Sequence, residues 1–430
     1  MSTGVTAAPA TPPLTGRAGI AGWCLYDWAN SAFTTVITTF IFAAYFTSAV
    51  AENDTVGTAQ WGYASSAAAI LIAVLGPTLG AIADKGGRRK IWLFGFTWLG
   101  AALTMLLVLV RPNPEDALLA LMLFVAAAVA MDMGQVFYNS MLPTLAPRDW
   151  LGRVSGWGWG LGYAGGLACL VAALYGFVES GAPWLGADTE QAEHVRATAV
   201  LVGLWVIVFS LPLLLITPDR RGAGLPAGQA VRQGLATLAE TIRQVRRHAA
   251  IVRFLIAYLF YMNGLVTLFA FGGIYAAGTF DMDLAEVIRF GIALNVSAGL
   301  GAAAFAWVDD WIGPKRTVQI ALIGLIVTGS ILIVTESKLV FWVVGFLLGT
   351  FVGPAQAASR SFMARLVPKD METEMFGLYA LSGKATVFAG PLVLATVTQA
   401  FDSQRAGVAS ILVFFIVGLA LLRFVPEPRR

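Results

Sequence analysis

Long apolar segments separated by short charged stretches run through almost the whole chain. A membrane core about 30 Å thick requires roughly 20 apolar residues per helix, and only helices and closed barrels satisfy every backbone group inside it. These segments are too long and too uniformly apolar for barrel strands. The pattern predicts an all-α membrane protein with twelve transmembrane helices, at residues 19–50, 61–83, 91–110, 117–145, 154–177, 197–216, 251–278, 284–308, 317–334, 339–366, 375–398 and 407–423.

Two of the segments carry polar residues on one helical face. The polar positions recur at i, i+3, i+4, i+7 and i+11 in the first segment and at i, i+3 and i+7 in the fourth. They are Asp27, Asn30, Ser31, Thr34 and Thr38 in the first, and Asp132, Gln135 and Asn139 in the fourth. An ionisable group at bilayer depth costs about 2.5–3.5 kcal/mol, so it normally faces a partner or a water-filled cavity. The stripes predict two helices that line such a cavity.

The second half of the chain repeats the first. The stretch "QVFYNSMLPTLAPRD", which begins at Gln135, aligns without gaps on "QAASRSFMARLVPKD", which begins at Gln356, and Arg360 falls opposite Asn139. Parallel repeats are typical of transporters built from two bundles around a central site. We therefore predict two pseudo-symmetric six-helix bundles, with the major boundaries at 1–18 (disordered tail), 19–216 (first bundle), 217–250 (linker), 251–423 (second bundle) and 424–430 (tail).

The linker contains an amphipathic pattern. Apolar residues recur at helical spacing with arginines between them, as in a helix that lies on a membrane surface. The apolar positions are Val231, Leu235, Leu238, Ile242 and Val245. A helix that connects the two bundles is the favoured interpretation, and a regulatory target site of the calmodulin-binding type is the alternative.

The composition supports a membrane protein and argues against catalysis. Hydrophobic residues make up 58% of the chain and charged residues 12%, against about 25% charged residues in soluble domains. Cys24 and Cys169 lie in apolar segments, and His194 and His248 lie in separate loops, which leaves no disulfide framework or metal site to predict. Nucleotide-binding loops and nucleophile motifs are also absent from the sequence. We expect no enzymatic activity and no cofactor.

The distribution of charge predicts the orientation. Of the 28 Lys and Arg residues, 21 fall at the end of the predicted bundle that carries both termini, whereas the loops at the other end hold four. This asymmetry follows the positive-inside rule and places both termini in the cytoplasm. The net charge of +3 therefore reflects topology, and we expect no nucleic-acid partner. The excess of Arg over Lys favours a bacterial inner (plasma) membrane, and we expect a monomer surrounded by lipid.

The loop between the second and third segments resembles the signature loop of the major facilitator superfamily. It has the pattern Gly80-x-x-x-Asp84-Lys85-x-Gly87-Arg88-Arg89, and a degenerate second copy places Asp310 opposite Asp84. The resemblance implies that Asp84 lies near a helix N-terminus of the opposite half, where the positive end of the helix dipole favours a carboxylate. It also implies that Arg88 and Arg89 support this latch, and that Asp310 belongs to the same gate.

Within that superfamily, the chain is similar to the vacuole effluxer family. The stretches that carry the similarity span the transmembrane region and include "YDWANSAF", "VFYNSMLPTLAP", "GRVSGWGWGLGYAGG" and "FGGIYAAGTF". Fungal members of the family export amino acids from the vacuole, and bacterial relatives are numerous. The similarity implies amino-acid transport. Bacterial relatives often carry an aspartate in helix seven at the position of Asn263.

The charges at membrane depth define the candidate substrate site. Asp27 and Asp132 belong to the first half, and Arg360 and Lys384 belong to the second. A zwitterion such as an amino acid needs a carboxylate for its ammonium group and a cation for its own carboxylate, which arginine can bind in bidentate fashion. We predict that Asp132, with Asp27, binds the ammonium group and that Arg360 or Lys384 binds the carboxylate. The neutral polar residues of the site would be Asn30, Gln135, Asn139, Asn263 and Gln356.

Several alternatives remain open for these residues. Asp27 and Arg360 lie nearer the cytoplasmic end of their helices and could form a gate salt bridge, and Lys384 could simply neutralise a carboxylate. Asp27 and Asp132 are the titratable groups that could couple transport to protons, the favoured coupling ion, and facilitated diffusion stays open as the alternative. The rival functions are export of a drug-like cation or a sugar derivative, and a membrane sensor that does not transport.

Overall fold

The structure is a computed structural model that describes residues 16–87, 89–180, 186–219, 225–243, 248–282, 284–369, 371–384 and 386–427. Its α-helices within these ranges are α1 (Arg17–Ala32), α2 (Phe42–Tyr45), α3 (Asp54–Gly86), α4 (Arg89–Leu106), α5 (Ala117–Leu145), α6 (Leu151–Ala173), α7 (Glu193–Ile216), α8 (Ala227–Arg243), α9 (Ala249–Phe280), α10 (Leu284–Ile312), α11 (Pro314–Val334), α12 (Lys338–Leu366), α13 (Glu372–Lys384), α14 (Ala389–Phe401) and α15 (Gln404–Leu422). Wide π-helical turns at Phe33–Phe40 and Phe46–Val50 continue the first helix.

The prediction of twelve transmembrane helices is confirmed. Within the described residues, 12 helical stretches are long and apolar enough to cross a membrane. The first extends from α1 to Val50, and the eleventh comprises α13 and α14. The predicted helices differ from the observed ones mainly in where they begin and end. For example, α3 begins at Asp54 because the Asn53 side chain accepts a hydrogen bond from the Val56 amide and caps the helix.

The helices form two bundles that meet along paired helices. From the first bundle, α3 packs against α13 and α6 packs against α10 of the second. Glycines bring the backbones together: a Cβ at Gly80 would lie 2.5 Å from the Thr373 carbonyl oxygen, and a Cβ at Gly377 would lie 2.5 Å from the Gly76 carbonyl. Contacts this close leave no room for a larger side chain, so the seams between the bundles depend on small residues.

The bundles are in contact mainly at one end. We call it the basic end; it is the end at which α1 begins and α3 ends, next to Lys85, Arg89 and Lys90. There α13 packs against α3, whereas the continuation α14 packs against α9 and α15 of its own bundle. The contacts between the bundles therefore concentrate at the basic end. We call the partly exposed space beyond them, which Asp132 and Lys384 border, the cleft.

The eleventh membrane span is interrupted, which the sequence pattern did not predict. Helix α13 ends at Lys384, and α14 begins at Ala389 after a turn in which the Ala389 amide donates to the Thr386 carbonyl at 2.8 Å. The span predicted over 375–398 is present as one membrane crossing, but it consists of two helices joined by a turn. Pro391 fits this break because a proline in the first turn of a helix removes an N–H group that has no intrahelical partner. The break leaves Lys384 at a helix end, midway through the membrane span.

Replacing Gly377 by Val is expected to destabilise the contact between α3 and α13. The added side chain would meet the backbone of Gly76 and Pro77, and overpacking of this kind typically costs about 1–3 kcal/mol. Gly95→Val is the matched control, because a Cβ at Gly95 meets no atom within 4 Å. The unfolding temperature of purified protein should fall for Gly377→Val and stay near that of the parent for Gly95→Val. Equal effects of the two substitutions would contradict the tight seam.

Candidate functional site

A lysine and an aspartate from different bundles form an ion pair that borders the cleft. Lys384 Nζ lies 2.5 Å from Asp132 Oδ2, and each side chain remains 33% exposed. Asp132 lies near the middle of α5, and Lys384 is the last residue of α13 before the helix break. This ion pair therefore combines a position at mid-membrane depth with access from the cleft.

A second ion pair between the bundles is fully buried. Arg360 of α12 enters the first bundle, where its Nη1 lies 2.7 Å from Asp27 Oδ2. The guanidinium also donates to the side-chain and carbonyl oxygens of Ser155 at 2.9 and 2.6 Å, and more weakly to Asn139 Oδ1 at 3.4 Å. Three aromatic rings lie about the guanidinium, with its central carbon 4.9, 5.5 and 5.6 Å from the ring centroids of Trp23, Trp159 and Tyr138. These contacts satisfy Arg360 without solvent.

A glycine makes room for the buried pair. A Cβ at Gly158 would lie 2.7 Å from Asp27 Oδ2 and 2.8 Å from Arg360 Nη2. The next glycine along the same face of α6, Gly162, approaches Asp27 and Ser31 of α1 in the same way. The missing side chain at Gly158 thus leaves space for the Arg360 guanidinium, and the one at Gly162 lets α1 and α6 pack closely.

The predicted neutral residues fall into three groups. Gln135 and Asn139 join the buried pair, because Gln135 Nε2 donates to Asp27 Oδ1 at 3.2 Å and Asn139 accepts from Arg360. Gln356 accepts from the Tyr163 hydroxyl at 2.6 Å across the bundles. Asn263 is buried beside the helix break, where its Nδ2 donates to Thr386 Oγ1 at 2.6 Å.

Some buried acceptors have no hydrogen-bond partner among the described residues. Three of them belong to predicted site residues: Asn30 Oδ1, Gln135 Oε1 and Asn263 Oδ1. A buried polar group left without a partner costs about 1–3 kcal/mol, and native structures rarely keep such groups without a reason. The three acceptors belong to α1, α5 and α9, the helices that also carry or adjoin the two ion pairs. They favour a ligand or water that donates hydrogen bonds.

Two carboxylates cap helices of the opposite bundle at the basic end. Asp84 accepts from the amides of Thr373 and Glu374 at the start of α13, both at 3.0 Å to Oδ2. Asp310 accepts from the amides of Gly152 and Arg153 at the start of α6, at 2.8 and 3.1 Å. A carboxylate at a helix N-terminus satisfies free N–H groups and interacts favourably with the helix dipole. The two caps occupy equivalent positions in the repeat.

Arginines reinforce both caps. Arg89 Nη2 bridges Asp84 Oδ1 at 2.8 Å and Glu372 Oε2 at 2.7 Å. Around the other cap, Arg365 lies 3.1 Å from Asp310 and 3.3 Å from Asp309. Arg88, which the sequence analysis assigned to the same gate, lies outside the described residues.

Comparison with known proteins identifies the family. The sequence profile described as "Vacuole effluxer Atg22 like" matches residues 57–430. The chain belongs to the vacuole effluxer Atg22-like family. It is 30% identical over 412 residues to the uncharacterized MFS-type transporter YxiO of Bacillus subtilis, covering 94% of each chain. It is 23% identical over 421 residues to autophagy-related protein 22 of Coccidioides immitis, covering 80% of this chain and 68% of the relative.

Solved structures confirm the major facilitator fold. The proton:xylose symporter XylE bound to 6-bromo-6-deoxy-D-glucose superposes with a TM-score of 0.71 and 12% identity, covering 95% of this chain and 96% of the symporter. The transporter FucP in its outward conformation superposes with a TM-score of 0.70 and 15% identity, covering 96% of this chain and 100% of FucP. The Atg22-like chain is therefore an MFS-type transporter and a multi-pass membrane protein.

Three residues in the ion pairs and caps of this Atg22-like transporter were not predicted from its sequence. Glu372 and Ser155 were not assigned a role, and Arg365 entered only the count of basic residues. A signal existed for Glu372, because acidic residues in the first turn of the eleventh helix interrupt an otherwise basic end. Ser155 offered no signal, since a single hydroxyl in a glycine-rich helix does not indicate which partner it meets.

Asp27→Asn is expected to destabilise the protein strongly. The substitution leaves the Arg360 charge uncompensated in a site where its side chain is 2% exposed, and breaking a buried pair typically costs about 3–5 kcal/mol. Lys338→Gln is the control, because it breaks the Lys338–Glu286 pair in which the lysine is 43% exposed, and such pairs contribute about 0–1 kcal/mol.

Thermal unfolding of the purified variants measures this difference. The double variant Asp27→Leu with Arg360→Met should recover much of the loss, since it removes both charges from the dry site. If Asp27→Asn is as stable as Lys338→Gln, the buried pair does not hold the bundles together.

Proposed function

We propose that this transporter moves small zwitterionic solutes, with amino acids as the first candidates, across the cytoplasmic membrane by alternating access. The Asp132–Lys384 pair carries the proposal. It joins opposite charges from the two bundles at mid-membrane depth, and both side chains remain accessible from the cleft. A pair that is half-way along the span and open to water can exchange its partners for those of a solute.

The chemistry of the exchange matches a zwitterion. The ammonium group of the solute would take the place of Lys384 at Asp132, and the carboxylate would take the place of Asp132 at Lys384. The acceptors without partners, on Asn30, Gln135 and Asn263, suit further N–H donors of an ammonium group. Lysine offers a compact charge on a flexible stem, which suits a carboxylate that must also be released.

Asp27 and Arg360 have a different role in this proposal. Their pair is buried, and the guanidinium already has its hydrogen bonds from Asp27 and Ser155. We assign it, with the caps made by Asp84 and Asp310, to the gate that closes the basic end. Substrate access from that end would require all of these contacts to separate.

The positive-inside rule supports an orientation for this cycle. The basic end would face the cytoplasm, with both termini there, and the described conformation would be open to the outside. An inner (plasma) membrane location and a monomeric state belong to the same proposal. Protons are the favoured coupling ion, since protonation of Asp132 would release Lys384, with Asp27 as the second candidate carrier. If no proton is carried with the solute, the same cycle gives facilitated diffusion.

Asp132→Asn and Lys384→Gln should each reduce amino-acid flux in proteoliposomes by at least tenfold, because each removes one half of the exchanging pair. Lys338→Gln is the matched control. It breaks an ion pair of the same 2.5 Å length outside the cleft and should leave flux unchanged. Each variant is first compared for folded yield. Normal flux in Asp132→Asn would refute this site, and an absence of flux for every amino acid in the parent protein would favour export of another solute or a sensor.

The requirement for both charges can be measured without transport. We expect leucine to raise the unfolding temperature of the purified protein, whereas isoamylamine and 4-methylpentanoate, which lack one of its two charges, should have little effect. Lys384→Gln should abolish the response to leucine. Equal responses to leucine and to the amine would indicate a cation site, and the zwitterion proposal would fall. Further amino acids are tested in the same way, each beside the analogue that lacks its carboxylate and the analogue that lacks its ammonium group.

A further inference from the structure

Helix α8 crosses the seam between the two bundles at the basic end. It packs against α3 so closely that a Cβ at Gly234 would lie 2.8 Å from the backbone N and Cα of Ile82. Further along α8, the buried Thr241 side chain, whose hydroxyl donates to the Thr237 carbonyl at 3.0 Å, lies near the Glu374 carboxylate of α13. Because α3 belongs to the first bundle and α13 to the second, α8 contacts both sides of the seam that the Asp84 cap closes.

The surface of α8 is divided into three faces. The face against the bundles carries the buried residues Ala230, Gly234 and Thr241. About a quarter of a turn away, Val231 and Leu235 are 42% and 45% exposed. The remaining face carries the exposed polar residues Gln229, Arg232, Gln233 and Glu240. A helix that contacts protein, lipid and water at once is expected to show this division.

The depth of α8 places its apolar flank at the edge of the membrane. Gly234 contacts α3 at Ile82, four residues before the end of that membrane-spanning helix at Gly86. Four residues of helix correspond to about 6 Å. Interfacial helices bury their apolar face about 5–10 Å into the boundary between headgroups and acyl chains. Val231 and Leu235 are therefore exposed at the depth expected for the boundary between headgroups and acyl chains.

The charges around α8 complement anionic headgroups. The sequence from 227 to 248 contains four arginines and one glutamate. Arg232 is exposed on the helix, and Lys85 lies in the last turn of α3. Each basic residue near an anionic membrane surface contributes about 1 kcal/mol of attraction.

We propose that α8 is a lipid-anchored strap. Its apolar flank, Val231 and Leu235, docks into the anionic leaflet at the basic end, while Gly234 and Thr241 hold α3 and α13 together. Opening of the basic end separates these two helices, so α8 must lose its contact with one of them. An anionic leaflet that retains α8 at the seam therefore favours the conformation closed at the basic end.

Docking is tested with the full chain in vesicles that contain phosphatidylcholine with or without phosphatidylglycerol. An environment-sensitive fluorophore is attached to Leu235→Cys, or to Gln233→Cys on the water face as the control, with Cys24 and Cys169 replaced by Ala. Lipids brominated near the headgroup should quench the label at position 235 at least threefold more than the label at 233. The difference should grow with phosphatidylglycerol. Equal quenching at both positions would overturn the docking, and equal quenching with and without phosphatidylglycerol would overturn the role of anionic lipid.

The strap is tested by deuterium exchange of the amides at 372–377. Gly234→Val should displace α8 from the α3 backbone and raise exchange of these amides at least severalfold in vesicles with phosphatidylglycerol. Gln233→Val adds a β-branched residue on the water face and should leave exchange unchanged. If Gly234→Val also leaves exchange unchanged, α8 does not hold the seam closed. Neither experiment depends on which solute is transported, so this proposal can be refuted without refuting the proposed function, and the reverse.

Discussion

The buried guanidinium of Arg360 constrains the whole molecule. It belongs to the second bundle, but its counterion Asp27 and its hydrogen-bond acceptor Ser155 belong to the first. A charge in a dry interface is tolerated only while its partner stays in place, and loss of the partner is strongly destabilising. The bundles can therefore be closed around the complete pair or open with both groups hydrated, and intermediate separations are disfavoured. This is the property that a switch between two conformations requires.

Burial distinguishes the roles of the two ion pairs more clearly than distance does. The two pairs have similar lengths, 2.7 Å for Arg360–Asp27 and 2.5 Å for Lys384–Asp132. The first pair is surrounded by aromatic rings and a glycine that excludes any larger side chain, whereas the second is open to the cleft. Along the helices, the buried pair lies nearer the basic end than the exposed pair does, which is the order that the proposed gate and exchange site require. Asp84 and Asp310 each cap a helix of the opposite bundle, so both seams between the bundles are held by such a contact.

Hydrophobic periodicity and the internal repeat were sufficient to predict the twelve spans and the two bundles, because both depend on patterns within one helix or between equivalent helices. Contacts between bundles were not predictable to the same degree. Periodicity assigned Asp27 and Asp132 to cavity-facing stripes, but it contains no information about the register of α5 against α13, which pairs Asp132 with Lys384. The break after Lys384 was also hidden, since the sequence stays apolar through it and Pro391 alone does not reveal whether a helix bends or stops.

Charge conservation at membrane depth gives the proposed zwitterion specificity its physical basis. The Asp132–Lys384 pair is neutral as a whole, and so is an amino acid. When the solute inserts between the two side chains, every charge keeps an opposite neighbour, and no uncompensated charge has to be carried while the cleft closes. A solute with a single charge would leave either Asp132 or Lys384 without a partner, and an unpaired ion in the span costs several kcal/mol. A neutral ion pair that joins the two bundles can thus select a solute that carries one positive and one negative charge, because any other charge state would leave an ion unpaired.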